Sequence, residues 1–432
     1  MKSLNRRQFL QRTAIVAGTT LAPTFSGFGA NDKLILAVIG PGGMGMNHVR
    51  AFSGYKDVEI AYVCDPDEQR RDAAANEVEK RCGKAPKAVK DMRRVLEDKA
   101  VEAVVIATPD HWHVPAALLA LEAGKHVYVE KPCSHNIREG RLLVDAARQT
   151  RRVVQVGTQS RSAEHLRRAM ELLHNGAIGD VLISKAWNSQ LRANIGHVPA
   201  SAPPAHLDYE LWVGPAPMVP YQTNLLHSSW RWFTNFGCGD AGNDGVHELD
   251  IARWGLGVNV HPNKIAALGG KYFFNDDQQF PDSQYVAFEY EIDGKKKQLI
   301  YEHRTWSPYV QEGYENGNAF YGTRGMMILG KSKGWQMFGP RNKLIEEMSG
   351  SLRLETHHRD FLDAIRTDKP AHADAENGHL SAALAHFANI GTRVGDTLRF
   401  DPAKEQFFDN EQANKLLRRA YREGHWAVPS GM

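Results

Sequence analysis

Only four cysteines occur in 432 residues, Cys64, Cys82, Cys133 and Cys238, and no two stand at C-x-x-C spacing. That excludes a zinc ribbon and a thioredoxin-like redox pair, and leaves any disulfide pairing open. An excess of one charge is lacking too: 53 lysines and arginines face 50 acids, a formal net charge of +3, and the basic residues are dispersed. Without a basic stripe there is no footprint for a phosphate backbone, so no nucleic-acid partner and no polyanionic substrate is expected. No apolar run approaches the ~20 residues of a membrane-spanning helix. With 42% apolar and 24% charged residues the chain has a globular composition, and its length suits two domains better than one core.

Met1 to Gln11 carries Lys2, Arg6 and Arg7 without an acid, and Thr13 to Ala22 follows as a short run of apolar and small residues. This is the layout of an export signal. The string NRRQFLQ, Asn5 to Gln11, resembles a twin-arginine signal, which is an address read by export machinery and not an anchor. A periplasmic or otherwise exported protein is expected, with residues 1–30 as signal, 31–158 as a cofactor domain and 159–432 as a substrate and oligomerisation domain.

Leu34 to Ile39 is a branched apolar run that ends in Gly40-Pro41-Gly42-Gly43-Met44-Gly45. It predicts a buried parallel strand turning into a helix. Gly40, Gly42 and Gly45 fit G-x-G-x-x-G, whose glycines give a tight turn, close approach to a pyrophosphate and close helix packing. A second strand, Val58 to Cys64, ends in Asp65, twenty residues past Gly45, where a carboxylate accepts from ribose hydroxyls. Asp65 would repel a 2′-phosphate and favours NAD, although Arg70 and Arg71 nearby leave NADP open. Further apolar runs at Val101 to Ala107, Val127 to Glu130 and Val153 to Val156 alternate with helical patterns, one of which, Ala116 to Ala123, stops at Gly124. The fold class is therefore α/β, an N-terminal doubly wound domain followed by a C-terminal α+β domain with a large, mostly antiparallel open sheet. Thr108-Pro109-Asp110, Glu130-Lys131-Pro132 and Gly157-Thr158-Gln159 should line one crevice at the carboxyl ends of the parallel strands.

The glycine run, Thr108-Pro109 with His113 beyond it, Glu130-Lys131-Pro132, and Asn243-Asp244-Gly245-Val246-His247 together resemble the glucose-fructose oxidoreductase, inositol dehydrogenase and MocA family. The resemblance runs from about Lys33 to the C-terminus. It implies hydride transfer with a bound nicotinamide cofactor, Lys131 beside the reacting oxygen, His113 near the cofactor, and an open sheet face that serves many members as a subunit interface. Independently of it, Lys131 follows a strand at the sheet's carboxyl edge, where an ammonium stabilises a developing alkoxide. His247 is the candidate general base, because imidazole accepts a proton near neutral pH. In much of the family the place of Asn243 is an aspartate that orients the histidine. Asn243 can hold the ring but supplies no charge, and helical geometry is expected to turn Asp244 and Asp250 aside. Gly43, Met44, Thr108, Pro109, Glu130 and Gln159 complete the cofactor candidates; Arg192, Trp230, Arg231 and Asp244 are the substrate candidates. His111, Trp112 and His113 lack the spacing and carboxylates of a zinc site, and no metal is expected.

Beyond Asp180 the strands alternate: Val181 to Asn188, Lys264 to Phe274, Gln284 to Ile292, Lys297 to Arg304 and Ala319 to Leu329, with a proline-rich loop over Ala193 to Pro220. Arg359 to Arg366 and Glu411 to Arg422 have helical patterns. Export removes a free coenzyme pool, so the cofactor should stay bound and be restored in each cycle. Three functions fit: an oxidoreductase of a sugar, polyol or glycoside; an NAD-dependent glycosidase working by oxidation and elimination; or a carbohydrate-binding protein that lost its chemistry.

Overall fold

The structure, a computed structural model, describes residues 33–432; the expected signal lies outside the described residues. Six parallel strands come first: β1 (Leu34–Ile39), β2 (Val58–Cys64), β3 (Lys87–Val89), β4 (Ala103–Ile106), β5 (His126–Val129) and β6 (Val154–Val156). Their order, β3-β2-β1-β4-β5-β6, is that of the doubly wound dinucleotide fold. The central strands β1 and β4 are almost wholly buried, as strands covered by helices on both faces must be. Between them the strand order reverses, and a crevice opens at the carboxyl ends. β3 carries no sequence signal, because its three residues are mostly exposed and form no apolar run.

The second sheet has ten strands, in the order β14-β13-β12-β11-β7-β10-β9-β8-β15-β16. They are β7 (Val181–Ser189), β8 (Lys264–Gly270), β9 (Ser283–Ile292), β10 (Lys295–Arg304), β11 (Asn316–Gly322), β12 (Met326–Gly330), β13 (Gly334–Gly339), β14 (Lys343–Ser349), β15 (Leu398–Asp401) and β16 (Gln406–Phe407). Of the named pairings only β7 with β10 is parallel. One face packs Phe288, Tyr290, Leu299 and Phe320 against the helices Val246–Leu256 and Ala375–Val394. The other leaves Leu268, Tyr285 and Tyr321 partly exposed.

Two expectations need correction, and one element went unannounced. Ala319 to Leu329 is not one strand but the hairpin β11–β12: Gly322 N–H donates to the Gly325 carbonyl at 2.9 Å, closing a two-residue turn between two glycines. Glu411 to Arg422 is helical only over Glu411–Lys415. Tertiary bonds override its helical pattern, since Arg419 and Tyr421 both reach Glu139, at 2.7 and 2.5 Å. The 20-residue helix Ala375–Val394 had no apolar stripe to announce it, because small residues let it be buried nearly all round. All four cysteines are free.

Candidate active site

The glycine loop follows β1. Gly40 has φ of 81°, and a Cβ there would fall 2.7 Å from the Thr108 amide nitrogen. At Gly45 a Cβ would lie 2.1 Å from the Gly40 carbonyl oxygen, so the helix Gly43–Phe52 packs on its own loop only without a side chain. At Gly42 it would meet the Arg70 guanidinium at 1.6 Å. That helix begins with Gly43 and Met44, has no side-chain cap and no acid in its first turn, which leaves its positive end for an anion.

Asp65, at the end of β2, is buried, and its Oδ1 accepts from the Asp67 amide at 2.9 Å. Burial pushes its carboxyl up to about 7, against the Asp67 hydrogen bond and the charges of Arg70 and Arg71. Such a carboxyl is matched to ribose hydroxyls, which supply the hydrogen bonds that water does not. Across the switch point the buried Thr108 and Thr158 hydroxyls have no partner. A glycine cradle, a helix end, a buried acid and orphaned hydroxyls together fit a dinucleotide.

These elements wall a crevice of about 310 Å³ that also contains Lys131, Asn243 and His247. Gly40, Gly42, Gly43, Met44, Asp65, Thr108, Pro109, His113, Glu130, Gln159, Trp230 and Arg231 line it as well. Gly45, Arg192 and Asp244 do not. The Lys131–Pro132 peptide is cis. The Lys131 ammonium donates to the Asn243 backbone carbonyl. His113 links two strand ends, with ring nitrogens 2.7 Å from the Pro132 carbonyl and 2.9 Å from that of Thr108.

The surroundings of His247 differ from expectation. The Asn243 side chain does not hold the ring: its Oδ1 accepts from Arg231 at 3.1 Å and its Nδ2 donates to Asp240 at 3.1 Å. His247 Nδ1 is buried without a partner. Asp244, expected to point aside, is close enough to favour imidazolium, because residues three apart on a helix are neighbours. Burial, with the charges of Lys331 and Lys131, outweighs Asp244 and Glu130 and lowers the His247 pKa, so the ring is a neutral base at neutral pH. Asp250 is engaged elsewhere, in a buried pair with Arg161 at 2.8 Å.

Arg192 reaches Asp240 at 2.9 Å and Asp244 at 3.4 Å, behind Asn243. The Arg231 guanidinium lies 4.7 Å from the centre of the Trp230 ring on the crevice wall. Lys331 went unseen in the sequence; its ammonium is 2.5 Å from Glu248 and 3.4 Å from Asp244. Two acids four apart on a buried helix demand a cation, but nothing local says which. His111 Nε2 and Trp112 Nε1 both meet the Trp212 carbonyl, at 3.1 and 2.9 Å, and serve packing. Among the described residues one cluster of metal-ligand type converges, His261, His379 and Glu405. Arg141 donates to the same Glu405 oxygen at 2.7 Å and both Nδ1 atoms lack partners, so the cluster is built as an ion pair without the outer partners of a metal site.

The fold and the crevice define a dinucleotide-binding α/β protein. Residues 34–158 match the Gfo/Idh/MocA oxidoreductase family, NAD-binding Rossmann fold, and residues 183–302 and 337–428 match its C-terminal α/β domain. The chain belongs to this family. It is 32% identical to inositol 2-dehydrogenase 4 of Saccharopolyspora erythraea over 245 residues, which is 55% of this chain and 60% of that protein. It is 28% identical to glycosyl hydrolase family 109 protein 1 of Akkermansia muciniphila over 172 residues, 39% of this chain and 36% of that one. The matched stretches thus span roughly a third to three fifths of these relatives. In structure it resembles levoglucosan dehydrogenase in complex with NADH and levoglucosan, with a TM-score of 0.65 at 18% identity, covering 85% of this chain and 99% of that one.

Proposed function

We propose that the protein oxidises a hydroxyl of a sugar, polyol or glycoside. The observation that carries this is the meeting of Lys131 and His247 in the crevice that also holds the glycine cradle and Asp65. NAD, when bound, supplies a ring that accepts and returns a hydride. The Lys131 ammonium, steered by the Asn243 carbonyl, stabilises the developing alkoxide. The neutral His247 ring takes the hydroxyl proton, and Asp244 stabilises the imidazolium that results. Trp230 and Arg231 offer a ring face and hydrogen-bond donors to a carbohydrate. Arg192, one bond further back, keeps Asp240 and Asp244 in place.

Export by a twin-arginine signal, and with it a resident cofactor, belongs to the same proposal, as does a second copy of the chain covering Leu268, Tyr285 and Tyr321 on the open sheet face. The test is mass spectrometry of the nucleotide released by the purified protein, followed by a carbohydrate panel watched at the nicotinamide absorbance band. No nicotinamide, or no response to any carbohydrate, overturns the proposal.

The likeness to the glycosyl hydrolase favours a second reading, in which transient oxidation acidifies a neighbouring carbon and an aglycone is eliminated. Aglycone release without net NADH, abolished by stripping the nucleotide, would select it. Loss of chemistry, suggested by Asn243, is disfavoured by the nearby charge of Asp244. Carbohydrate affinity with Lys131→Ala leaving no turnover to lose would revive it.

A further inference from the structure

His48, on the helix Gly43–Phe52, takes no part in the steps above, yet it is fully buried and bonded beneath the crevice. Its Nε2 lies 3.0 Å from Glu130 Oε1 and its Nδ1 lies 2.8 Å from His358 Nε2. His358 Nδ1 in turn lies 3.3 Å from the half-buried Tyr55 hydroxyl. Glu130 also accepts from the Lys131 amide at 3.2 Å and from Gln159 and Tyr128 at 3.4 Å each. Backbone and amide N–H groups cannot accept, so this donor set is matched to a carboxylate. Burial opposes the charge, but the His48 hydrogen bond and the charges around it, Lys131 among them, hold the Glu130 carboxyl below the ordinary carboxylate range.

An ionised Glu130 sets the direction of the chain. In the arrangement that follows from it, His48 donates from Nε2, its Nδ1 accepts from a His358 Nε2–H, and His358 Nδ1 accepts from the Tyr55 hydroxyl. That arrangement satisfies every hydrogen bond of the relay and leaves the carboxylate at the crevice wall. Asp65 ends β2 on the adenosine side of the switch point, whereas Glu130 ends β5 on the other. Glu130 therefore faces the nicotinamide half.

We propose that Glu130 biases the site toward the oxidised cofactor, with His48, His358 and Tyr55 as positioning residues that hold its carboxylate. The oxidised ring carries a positive charge and the reduced ring none, so a fixed anion in a poorly solvated crevice favours the former. The inference rests on the cofactor reading and is independent of which carbohydrate is used.

The experiment compares dissociation constants for NAD⁺ and NADH in the full chain stripped of nucleotide. Glu130→Gln is expected to shift the NAD⁺:NADH preference by about tenfold toward NADH. His48→Leu should shift it the same way by less, and His48→Gln, whose amide can still donate to Glu130, should restore the wild-type ratio. A merely structural role would weaken both nucleotides alike, and an unchanged ratio in Glu130→Gln overturns the inference. If Glu130→Gln does not fold, an unchanged ratio in His48→Leu does so. Failure of the wild-type chain to bind either nucleotide overturns the cofactor reading itself, which is a different result.

Discussion

The two walls of the crevice are built by different means. On the cofactor side the parts are close in sequence and small: glycines whose missing Cβ atoms make room, and one acid at the end of the next strand. On the substrate side the parts are charged, buried and gathered from afar, with Lys331 on Asp244 and Glu248, Arg192 on Asp240, and Arg231 on Asn243. A wall made by omission depends on backbone geometry, and a wall made by charge depends on balance. Substitutions on the two sides should therefore fail in different ways.

The largest effect is expected where both walls meet. Lys131→Ala should lower turnover by about a thousandfold, roughly 4 kcal/mol of transition-state stabilisation. Nucleotide binding should survive, since Lys131 bonds the Asn243 carbonyl and not the glycine loop. Single-turnover absorbance together with a nucleotide titration checks both halves. Turnover and binding lost together would mean that the two walls are not separable.

Asp65 sharpens the contrast through stability. Its carboxyl titrates at about 7 against an ordinary 3.8, so the stripped protein loses stability as pH rises between those values. The loss is of order 4 kcal/mol once the group is charged. Asp65→Asn should therefore melt higher than wild type at about pH 8, match it near about pH 4, and bind NAD more weakly. Equal melting at both values would show that water reaches the carboxylate.

Within the glycine loop the two close approaches separate backbone from side chain. Gly45→Ala sets a Cβ against the Gly40 carbonyl and should destabilise the fold by about 2 kcal/mol. Gly42→Ala displaces only the end of Arg70, so stability should change by less than about 0.5 kcal/mol while nucleotide affinity falls. Thermal melts with and without NAD distinguish them.

What the sequence made legible follows the same division. G-x-G-x-x-G and Asp65 are local patterns with one mechanical meaning, and the parallel sheet follows from the alternation of its strands with helices. On the substrate side the sequence pointed to Lys131 and His247, but it assigned Asn243 to the histidine when the side chain serves Arg231 and Asp240. It also turned Asp244 away when a three-residue step brings it alongside. Lys331, His48 and His358 had no local signal at all, because their partners lie on other elements and a buried cation or imidazole looks in sequence like any other. The helix Ala375–Val394 was hidden for the opposite reason, being apolar on too many faces to show a stripe.

The smallest effect tests the charge balance most directly. Lys331 is the largest charge that lowers the His247 pKa, and its removal also frees Asp244, which raises it. Glu248, already pushed up to about 7 by burial, would then take a proton and leave the crevice without that charge. Lys331→Met should consequently move the acid limb of the kcat/KM profile to higher pH. Near neutral pH the rate should change by less than about twofold, because His247 is unprotonated there in both proteins. An acid limb that stays in place would mean that His247 is not the base, and the proton would have to leave by way of another group on the same wall.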